Sequence, residues 1–195
     1  MDLDKKLKRV SMTLSKILRH QAINMNIKID DAGWVKLDDI LKCNELKNIS
    51  VADIEYIVEN NNKKRFTLET RNNITYIKAN QGHSIDKVKD DLLLTELTKE
   101  HNIKYVVHGT FNKHYQLIKE NGLCKMSRNH IHFAKNINVS SGIRKNAEVH
   151  IYIDVIKAMN DGIKFYESDN GVILSPGIGD KGSISSDYFH KVIIN

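Results

Sequence analysis

The sequence predicts an α+β protein of two lobes, and three observations lead to this prediction. In the first half, apolar residues recur at helical spacing in three stretches, and two alternating stretches separated by a turn follow them. The second half changes to many short alternating stretches around one main helix. A chain of 195 residues suits two small lobes that share an interface. We place the lobes at residues 1–90 and 91–195.

The first lobe is predicted to begin with three helices. KLKRVSMTLSKILRH forms the first and ends with Arg19 and His20, where the helix dipole favours cations. LDDILK forms a short second helix. In SVADIEYIVENN, Ser50 is an N-cap with Asp53 three residues later, a variant of the capping box, and Val51 begins the expected apolar face.

A β-hairpin is predicted to close the first lobe. RFTLET and ITYIKAN alternate as strands do, and RNN supplies the turn between them. Three helices followed by a hairpin is the order of a winged helix, a relative of the helix-turn-helix that is common in nucleic-acid binding. Other small α+β lobes share that order, so the pattern indicates this class without excluding others.

The second lobe is predicted to be mostly β. Its main helix, FNKHYQLIKENGL, has an expected apolar face of Phe111, Tyr115, Leu117 and Ile118 and stops at Gly122. The stretch PGIGDKGSISS is predicted to be a loop, and it lacks the pattern of a P-loop. The expected strands are KYVVHGT, HIHFAK, AEVHIYIDV, IKFYES, GVILS and DYFHKVII.

The stretch MSRNHIHFAK is the most unusual chemically. If it is a strand, Arg128, His130 and His132 share one face, while Ile131 and Phe133 point into the core. An arginine with two histidines suits a metal, an activated nucleophile or a phosphate-bearing substrate.

A phosphate is the favoured ligand of the three. His130 and His132 with His108 could bind zinc, but the region has no HExxH, carboxylate triad or paired cysteines. Ser84 and Ser127 lack a nucleophile elbow. Arginine, by contrast, binds phosphate oxygens in bidentate fashion and stays charged at any working pH. Four arginines stand out by placement, although each taken alone could be a solvated surface cation: Arg19, Arg65, Arg128 and Arg144.

Charge and composition set broad limits on function. The net charge of +6 and the pI near 9.1 favour a polyanionic partner. No apolar run approaches the roughly 20 residues that span a bilayer, and MDLDKKLKRV lacks the apolar core of a signal peptide. We therefore expect a cytoplasmic protein. Cys43 and Cys124 are isolated, so a disulfide framework is not expected.

Eight motifs then occur in an order that is specific to one known family. They are LSKILRH, DDAGWVKLDDIL, KKRFTL, ANQGHS, HGT, SRNHIHF, SGIRK and FYESDNGVIL, and they run from about residue 11 to residue 175. In this set the chain resembles the RNA 2′-phosphotransferases, which use NAD to remove an internal 2′-phosphate from RNA. HGT alone would be a weak signal, whereas the ordered set is a strong one.

The resemblance implies a fold and a reaction. It implies an N-terminal winged-helix-like lobe that binds RNA and a C-terminal ADP-ribosyltransferase-like lobe that binds NAD, with a cleft between them. The 2′-phosphate of the RNA attacks the anomeric carbon of the nicotinamide ribose and expels nicotinamide. The neighbouring ribose hydroxyl then attacks phosphorus, which releases 2′-hydroxyl RNA and ADP-ribose 1″,2″-cyclic phosphate. NAD is a co-substrate, no metal is required, and a monomer is expected.

The resemblance also assigns residues. The essential Arg-His-Arg-Arg set of the family corresponds to Arg19, His20, Arg65 and Arg128. Guanidinium groups suit phosphoryl transfer, which depends on positioning and on neutralising charge. His20 is implied to exchange a proton with a ribose hydroxyl.

On the NAD side, the residues implied are His108, Gly109, Thr110, His132, Val172 and His83. His132 stands where poly-ADP-ribosyltransferases have a tyrosine, and Val172 stands where they have a glutamate. The missing acid is chemically reasonable because a phosphate nucleophile is already anionic. The chain departs from the family in lacking a proline after Arg19 and His20 and in its longer SPGIGDKGSISSDYF tail.

Two other functions remain open on the sequence. One is an ADP-ribosyltransferase that stops after the first step on a nucleic-acid or protein acceptor, against which the retained arginines and His20 argue. The other is a non-catalytic winged-helix regulator, which would not need HGT together with HIHF. The physiological RNA is not readable from the sequence, although eukaryotic relatives act on spliced tRNA.

Overall fold

A computed structural model describes residues 3–195 and divides the chain into two compact units, Met1–Leu93 and Leu94–Asn195. Each unit is a mixture of helices and antiparallel strands, so the α+β prediction is confirmed at the level of class. Among the described residues, no helix combines the length and the apolar character needed to cross a bilayer. The units are described one at a time below.

The first unit is a set of helices closed by a three-stranded antiparallel sheet in the order β1-β3-β2. The hairpin strands β2 and β3 pair in register from Phe66 with Ala79 to Arg71 with Ile74. The elements are α1 (Leu3–Lys16), a π-helix (Ile17–Gln21), β1 (Val35–Lys36), α2 (Leu37–Leu41), α3 (Val51–Glu59), β2 (Phe66–Arg71), β3 (Ile74–Ala79) and α4 (Asp90–Leu93).

The first helix ends in a π-helical turn that carries the Arg-His pair. Leu14, Ile17 and Leu18 are buried and fix the inner face of this helix. The N–H of Ala22 donates to the Ile17 carbonyl at 2.9 Å, the i→i+5 pattern of a π-helix. Single π turns are rare and are found often at functional sites. The sequence predicted a helix here but gave no signal for the wider turn.

The hairpin forms where the sequence predicted it. Asn72 and Asn73 have φ of 50° and 61°, which is the conformation of a type I′ turn and suits the twist of two-residue hairpins. Trp34 is buried beside the sheet, with the Arg71 guanidinium 4.6 Å and the Lys78 ammonium 5.1 Å from its ring centroid.

The second unit has more strands than the first and three small antiparallel sheets, ordered β4-β9-β10-β7, β12-β8-β5 and β11-β6. Paired hydrogen bonds of 2.9 Å between Val107 and Ala134 connect β5 to the end of β7. The elements are β4 (Thr95–Glu96), β5 (Tyr105–Thr110), α5 (Asn112–Asn121), β6 (Leu123–Cys124), β7 (Ile131–Phe133), β8 (Val149–Asp154), α6 (Val155–Asn160), β9 (Tyr166–Glu167), β10 (Ile173–Ser175), β11 (Ser183–Ile184) and β12 (Phe189–Ile194).

Three local expectations were wrong. The strand in SRNHIHF begins only at Ile131, so Arg128 lies in the preceding turn rather than on a shared strand face. Val51 and Leu117 are 39% and 64% exposed, so neither belongs to its helix's buried face. Part of the glycine-serine loop forms β11, which pairs with β6, since two-residue strands carry no readable periodicity.

We expect the Ser50 cap to contribute measurably to the first unit. The Ser50 hydroxyl accepts the N–H of Asp53 at 3.1 Å, and the Asp53 carboxylate accepts the N–H of Ser50 at 2.9 Å. Ser50→Ala should lower the free energy of unfolding in urea by about 1 kcal/mol, whereas Ser50→Gly should cost only a few tenths. Equal losses in the two variants would contradict the capping role.

Candidate active site

The Arg19–His20 turn is held by the segment Asn80–Ser84, which follows the hairpin. The N–H of Ser84 donates to the Arg19 carbonyl at 2.9 Å. The Ser84 hydroxyl lies 2.9 Å from Nδ1 of His20. Main-chain and side-chain bonds from one residue therefore fix both the path of the turn and the orientation of the exposed His20 ring.

The same segment holds Arg65 at its other end. The N–H of Asn80 donates to the Arg65 carbonyl at 2.9 Å, and its side-chain amide donates to the Lys64 carbonyl at 2.8 Å. Asn80 is 3% exposed, and its amide oxygen accepts the Thr67 hydroxyl at 2.7 Å. Segment Asn80–Ser84 thus brings Arg19, His20 and Arg65 together from distant parts of the sequence.

The geometry around Arg65 leaves its charge without an acidic partner. Its guanidinium donates to the Asn61 amide oxygen at 3.2 Å, and no carboxylate of the described residues forms an ion pair with it. Burial lowers the pKa of Arg65, because a less hydrated guanidinium holds its charge less favourably. An incoming anion would offset that cost.

His83 occupies a different position from the one expected of a ligand contact. Its side chain is 2% exposed and lies under the turn at Gly33. A Cβ atom added to Gly33 would stand 3.3 Å from Nε2 of His83. Gly33 has φ of 80°, so it provides both the turn and the space for this ring. The geometry supports a packing role for His83, and contact with NAD stays a prediction.

In the second unit, two histidines are tied to the main chain in sequence. Nδ1 of His132 donates to the His130 carbonyl at 3.0 Å, and Nδ1 of His108 donates to the His132 carbonyl at 2.9 Å. Carbonyl oxygens only accept, so each bond places the proton on Nδ1. In neutral His108 the remaining nitrogen, Nε2, is therefore an acceptor.

His108 is disfavoured as a cation. Although part of its surface is exposed, loss of hydration lowers its pKa, and the nearby Arg144 charge lowers it further. The bond to the His132 carbonyl acts in the opposite direction and is the weaker influence. The ring packs edge-on against Phe133, with centroids 6.0 Å apart. His108 is thus suited to bind as a neutral imidazole.

Arg128 and Arg144 form the cationic part of this unit's candidate site. More than a third of the Arg128 surface is exposed, yet surrounding protein lowers the pKa of its guanidinium by desolvation, and Arg144 adds a like-charge effect. Neither arginine has an ion pair with any described carboxylate. Two guanidiniums that repel each other beside a neutral histidine form a surface suited to anions.

Close packing of the loop between β7 and β8 sets the position of Arg144. A Cβ at Gly109 would lie 2.7 Å from the Ile143 side chain, so the glycine of HGT lets Ile143 sit directly on β5. The next residue, Arg144, places its guanidinium 5.4 Å from the Phe111 ring centroid. HGT and SGIRK therefore pack as one unit.

The remaining predicted residues are buried. His130 is 5% exposed and packs edge-on against Tyr166, while Thr110 is 6% exposed on β5. Val172 is fully buried beside β10, and its carbonyl accepts the N–H of Ser168 at 3.0 Å. Direct ligand contact by Thr110 or Val172 stays a prediction. Among the side chains that the structure describes, no three His, Cys, Asp or Glu residues are arranged to hold a metal ion.

Sequence reasoning did not identify two residues of this arrangement. Asn80 and Ser84 hold the arginines and His20, but a single Asn or Ser in a loop carries no signature of its bonding partner. The proximity of Arg144 to His108 and Arg128 also went unpredicted, because it depends on how the loop folds back over Gly109.

The first α+β unit carries an Arg-His-Arg group, and the second carries a histidine-arginine group. These groups indicate an enzyme that acts on anionic substrates. The model of the RNA 2′-phosphotransferase, Tpt1 / KptA family matches residues 5–177, and the chain belongs to this family of enzymes. The resemblance inferred from the eight motifs is thereby confirmed.

Individual relatives agree with the family match. A Schizosaccharomyces pombe protein named as a tRNA 2′-phosphotransferase is 42% identical over 93% of this chain and 50% of its own length. The chain is 38% identical to tRNA 2′-phosphotransferase 1 of Danio rerio over 94% of this chain and 84% of the relative. It is 36% identical to tRNA 2′-phosphotransferase 1 of Homo sapiens over 95% of this chain and 75% of the relative. The chain thus spans half of the first relative and most of the other two.

The loop that carries Arg144 should depend on Gly142. This residue has φ of 82°, and an added Cβ would lie 2.5 Å from the Phe133 carbonyl oxygen. Gly162 has φ of 86°, and a Cβ added there would have no other atom within 4 Å, so Gly162→Ala is a matched control. Both alanine variants carry the left-handed penalty of about 1–2 kcal/mol, and Gly142→Ala should cost about 1–3 kcal/mol more through overpacking. Equal unfolding free energies would contradict this packing.

The lowered pKa of His108 predicts a pH-dependent stability. The unfolded chain binds the proton near pH 6.5, the ordinary value, before the folded protein does. Stability should therefore fall as the pH drops below about 6.5 towards the lowered pKa. Denaturation curves can be measured between about pH 7.5 and about pH 5, the range in which histidine titrates. Over this range the free energy of unfolding should fall less in His108→Gln than in the wild-type protein. His114→Gln, at an exposed position of α5, should keep the wild-type slope; an unchanged slope in His108→Gln would contradict the assignment.

Proposed function

We propose that this protein removes an internal 2′-phosphate from RNA, with NAD as the co-substrate that accepts the phosphate. NAD supplies an electrophilic ribose carbon with nicotinamide as its leaving group. The 2′-phosphate attacks that carbon, and the ribose 2″-hydroxyl of the RNA-2′-phospho-ADP-ribose adduct then attacks phosphorus. The products are 2′-hydroxyl RNA, nicotinamide and ADP-ribose 1″,2″-cyclic phosphate.

The observation that carries the proposal is the set of arginines without acidic partners. Arg65 and Arg128 form no ion pair with any carboxylate of the part of the chain that the structure describes, although both have pKa values lowered by burial. Proteins normally pair or solvate such cations. A dianionic 2′-phosphate suits the bidentate geometry of a guanidinium. Family membership points to the same ligand.

The residues fall into two roles in this proposal. Arg19, Arg65 and Arg128 neutralise the phosphate, and His20 moves a proton at its ring nitrogen. His108 and His132, each with Nδ1 bonded to a carbonyl, orient the ribose of NAD. Gly109 and Thr110 contribute the main chain beside His108. Val172, an apolar residue without a carboxylate, fits a reaction whose nucleophile needs no general base.

We further propose that the first unit is a winged-helix-like lobe that binds RNA and the second is an ADP-ribosyltransferase-like lobe that binds NAD. Three helices followed by a hairpin support the first assignment. The three small antiparallel sheets of the second unit support the second assignment. A cytoplasmic location and a monomeric state remain predictions from the sequence, and tRNA is the proposed substrate because relatives are named for it.

Product analysis tests the reaction. A short RNA with one internal 2′-phosphate is incubated with the protein, with and without NAD, and the products are separated by mass spectrometry. NAD-dependent 2′-hydroxyl RNA and cyclic phosphate are expected. A persistent adduct would indicate a transferase that stops after the first step, and no NAD-dependent change would contradict the proposal.

In Arg128→Ala the adduct should accumulate or turnover should be abolished. The reason is that no guanidinium at this position would then stabilise the negative charge on the phosphate in the transition state. Loss of one such donor typically costs about 100-fold to 1,000-fold in rate. Arg128→Lys should recover only part of the rate, since an ammonium cannot bind in bidentate fashion. Arg9→Ala removes an exposed arginine of α1 and serves as the control. Wild-type turnover in Arg128→Ala would contradict the residue assignment.

A further inference from the structure

The candidate-site histidines His20, His108 and His132 differ in the kind of partner at Nδ1. His108 and His132 donate to carbonyl oxygens, which only accept and so hold one tautomer. His20 instead faces the Ser84 hydroxyl at 2.9 Å. A hydroxyl both donates and accepts, so it can bond Nδ1 whether or not that nitrogen carries a proton.

This difference separates binding histidines from a proton-transferring one. A histidine that only orients a ligand benefits from a single tautomer. A histidine that takes up and releases a proton passes between neutral and cationic forms, and its ring must keep one orientation in both. Of the three Nδ1 bonds, only the one to Ser84 allows either direction of donation.

We infer that Ser84 is the positioning residue that keeps His20 oriented through both of its protonation states during the second step. This inference rests on the proposed function. In that step the 2″-hydroxyl loses a proton, the bond between phosphorus and the RNA 2′-oxygen breaks, and that oxygen gains a proton. His20 can handle this proton at Nε2 while Nδ1 remains bonded to Ser84.

The local structure supports a dedicated role for the hydroxyl. The Ser84 N–H separately donates to the Arg19 carbonyl at 2.9 Å, so the main-chain bond already fixes the turn. The π-helix spanning Ile17–Gln21 holds His20 on the exposed surface of that turn. Buried His83, the neighbour of Ser84, anchors the segment beneath Gly33. Removal of the hydroxyl therefore keeps the main-chain bond to Arg19 and removes the bond between Ser84 and Nδ1 of His20.

Step-resolved kinetics test the inference. In a single-turnover reaction, Ser84→Ala should slow conversion of the adduct by about 10-fold to 100-fold, the range seen when a supporting bond to a catalytic group is lost. Formation of the adduct should change by less than about threefold, since the phosphate attacks without a base. Ser84→Thr keeps the hydroxyl and should restore the second step.

The control is Ser15→Ala. The Ser15 hydroxyl donates to the Ser11 carbonyl at 2.9 Å on the same helix and has no bond to the site, so both steps should keep wild-type rates. A merely structural effect of Ser84→Ala would slow both steps together and would not be restored by threonine. Either result, or an unchanged second step, would overturn the inference.

A measurement without turnover separates this inference from the proposed function. Ring nitrogen chemical shifts of His20, measured by NMR in the free protein, report which nitrogen carries the proton and what it bonds. Ser84→Ala should shift the Nδ1 signal, and Ser84→Thr should retain it. An unchanged Nδ1 signal in Ser84→Ala would overturn the inference even if the reaction is confirmed. If the wild-type protein gives no NAD-dependent product, the proposed function fails, and the positioning role of Ser84 in the second step fails with it.

Discussion

The first unit depends on a short connecting segment that bonds to two distant pieces of chain. Asn80 fixes the main chain at Arg65, and Ser84 fixes the main chain at Arg19 and the ring of His20. Neither residue needs to touch a substrate for this purpose. Buried polar groups must be bonded, and these bonds place three functional groups with little freedom to move. The ANQGHS motif is therefore explained by the scaffold it builds.

In the second unit, main-chain acceptors and tight packing position the side chains of the candidate site. Its carbonyls set the tautomers of His108 and His132, and a missing side chain at Gly109 lets Ile143 bring Arg144 towards the same site. Arg128 and Arg144 repel each other, and neither forms an ion pair with a described carboxylate, so a bound anion would relieve that repulsion. Groups with pKa values shifted in this way are common at functional sites.

Much of the fold and of the candidate site could be predicted from the sequence. The features that could not be predicted have identifiable physical causes. Periodicity predicted the helices and main strands, and Asn72-Asn73 behaved as a hairpin turn should. The π turn at Arg19, the short β6–β11 pair and the exposure of Val51 depend on tertiary packing that no local pattern encodes. Family motifs singled out Arg65, Arg128 and His108, but they could not show that Asn80 and Ser84 bond to the chain at Arg65 and Arg19.

In the proposed reaction the 2′-phosphate is the nucleophile and is transferred to the ribose of NAD without attack by water on phosphorus. The most direct measurement is the reaction of 2′-phosphorylated RNA and NAD in water enriched in oxygen-18, followed by mass spectrometry of the phosphate-bearing product. The expected product is a cyclic phosphate with no solvent oxygen, and one NAD is consumed for each phosphate removed. Solvent oxygen in the first released phosphate product, or release without loss of NAD, would contradict it.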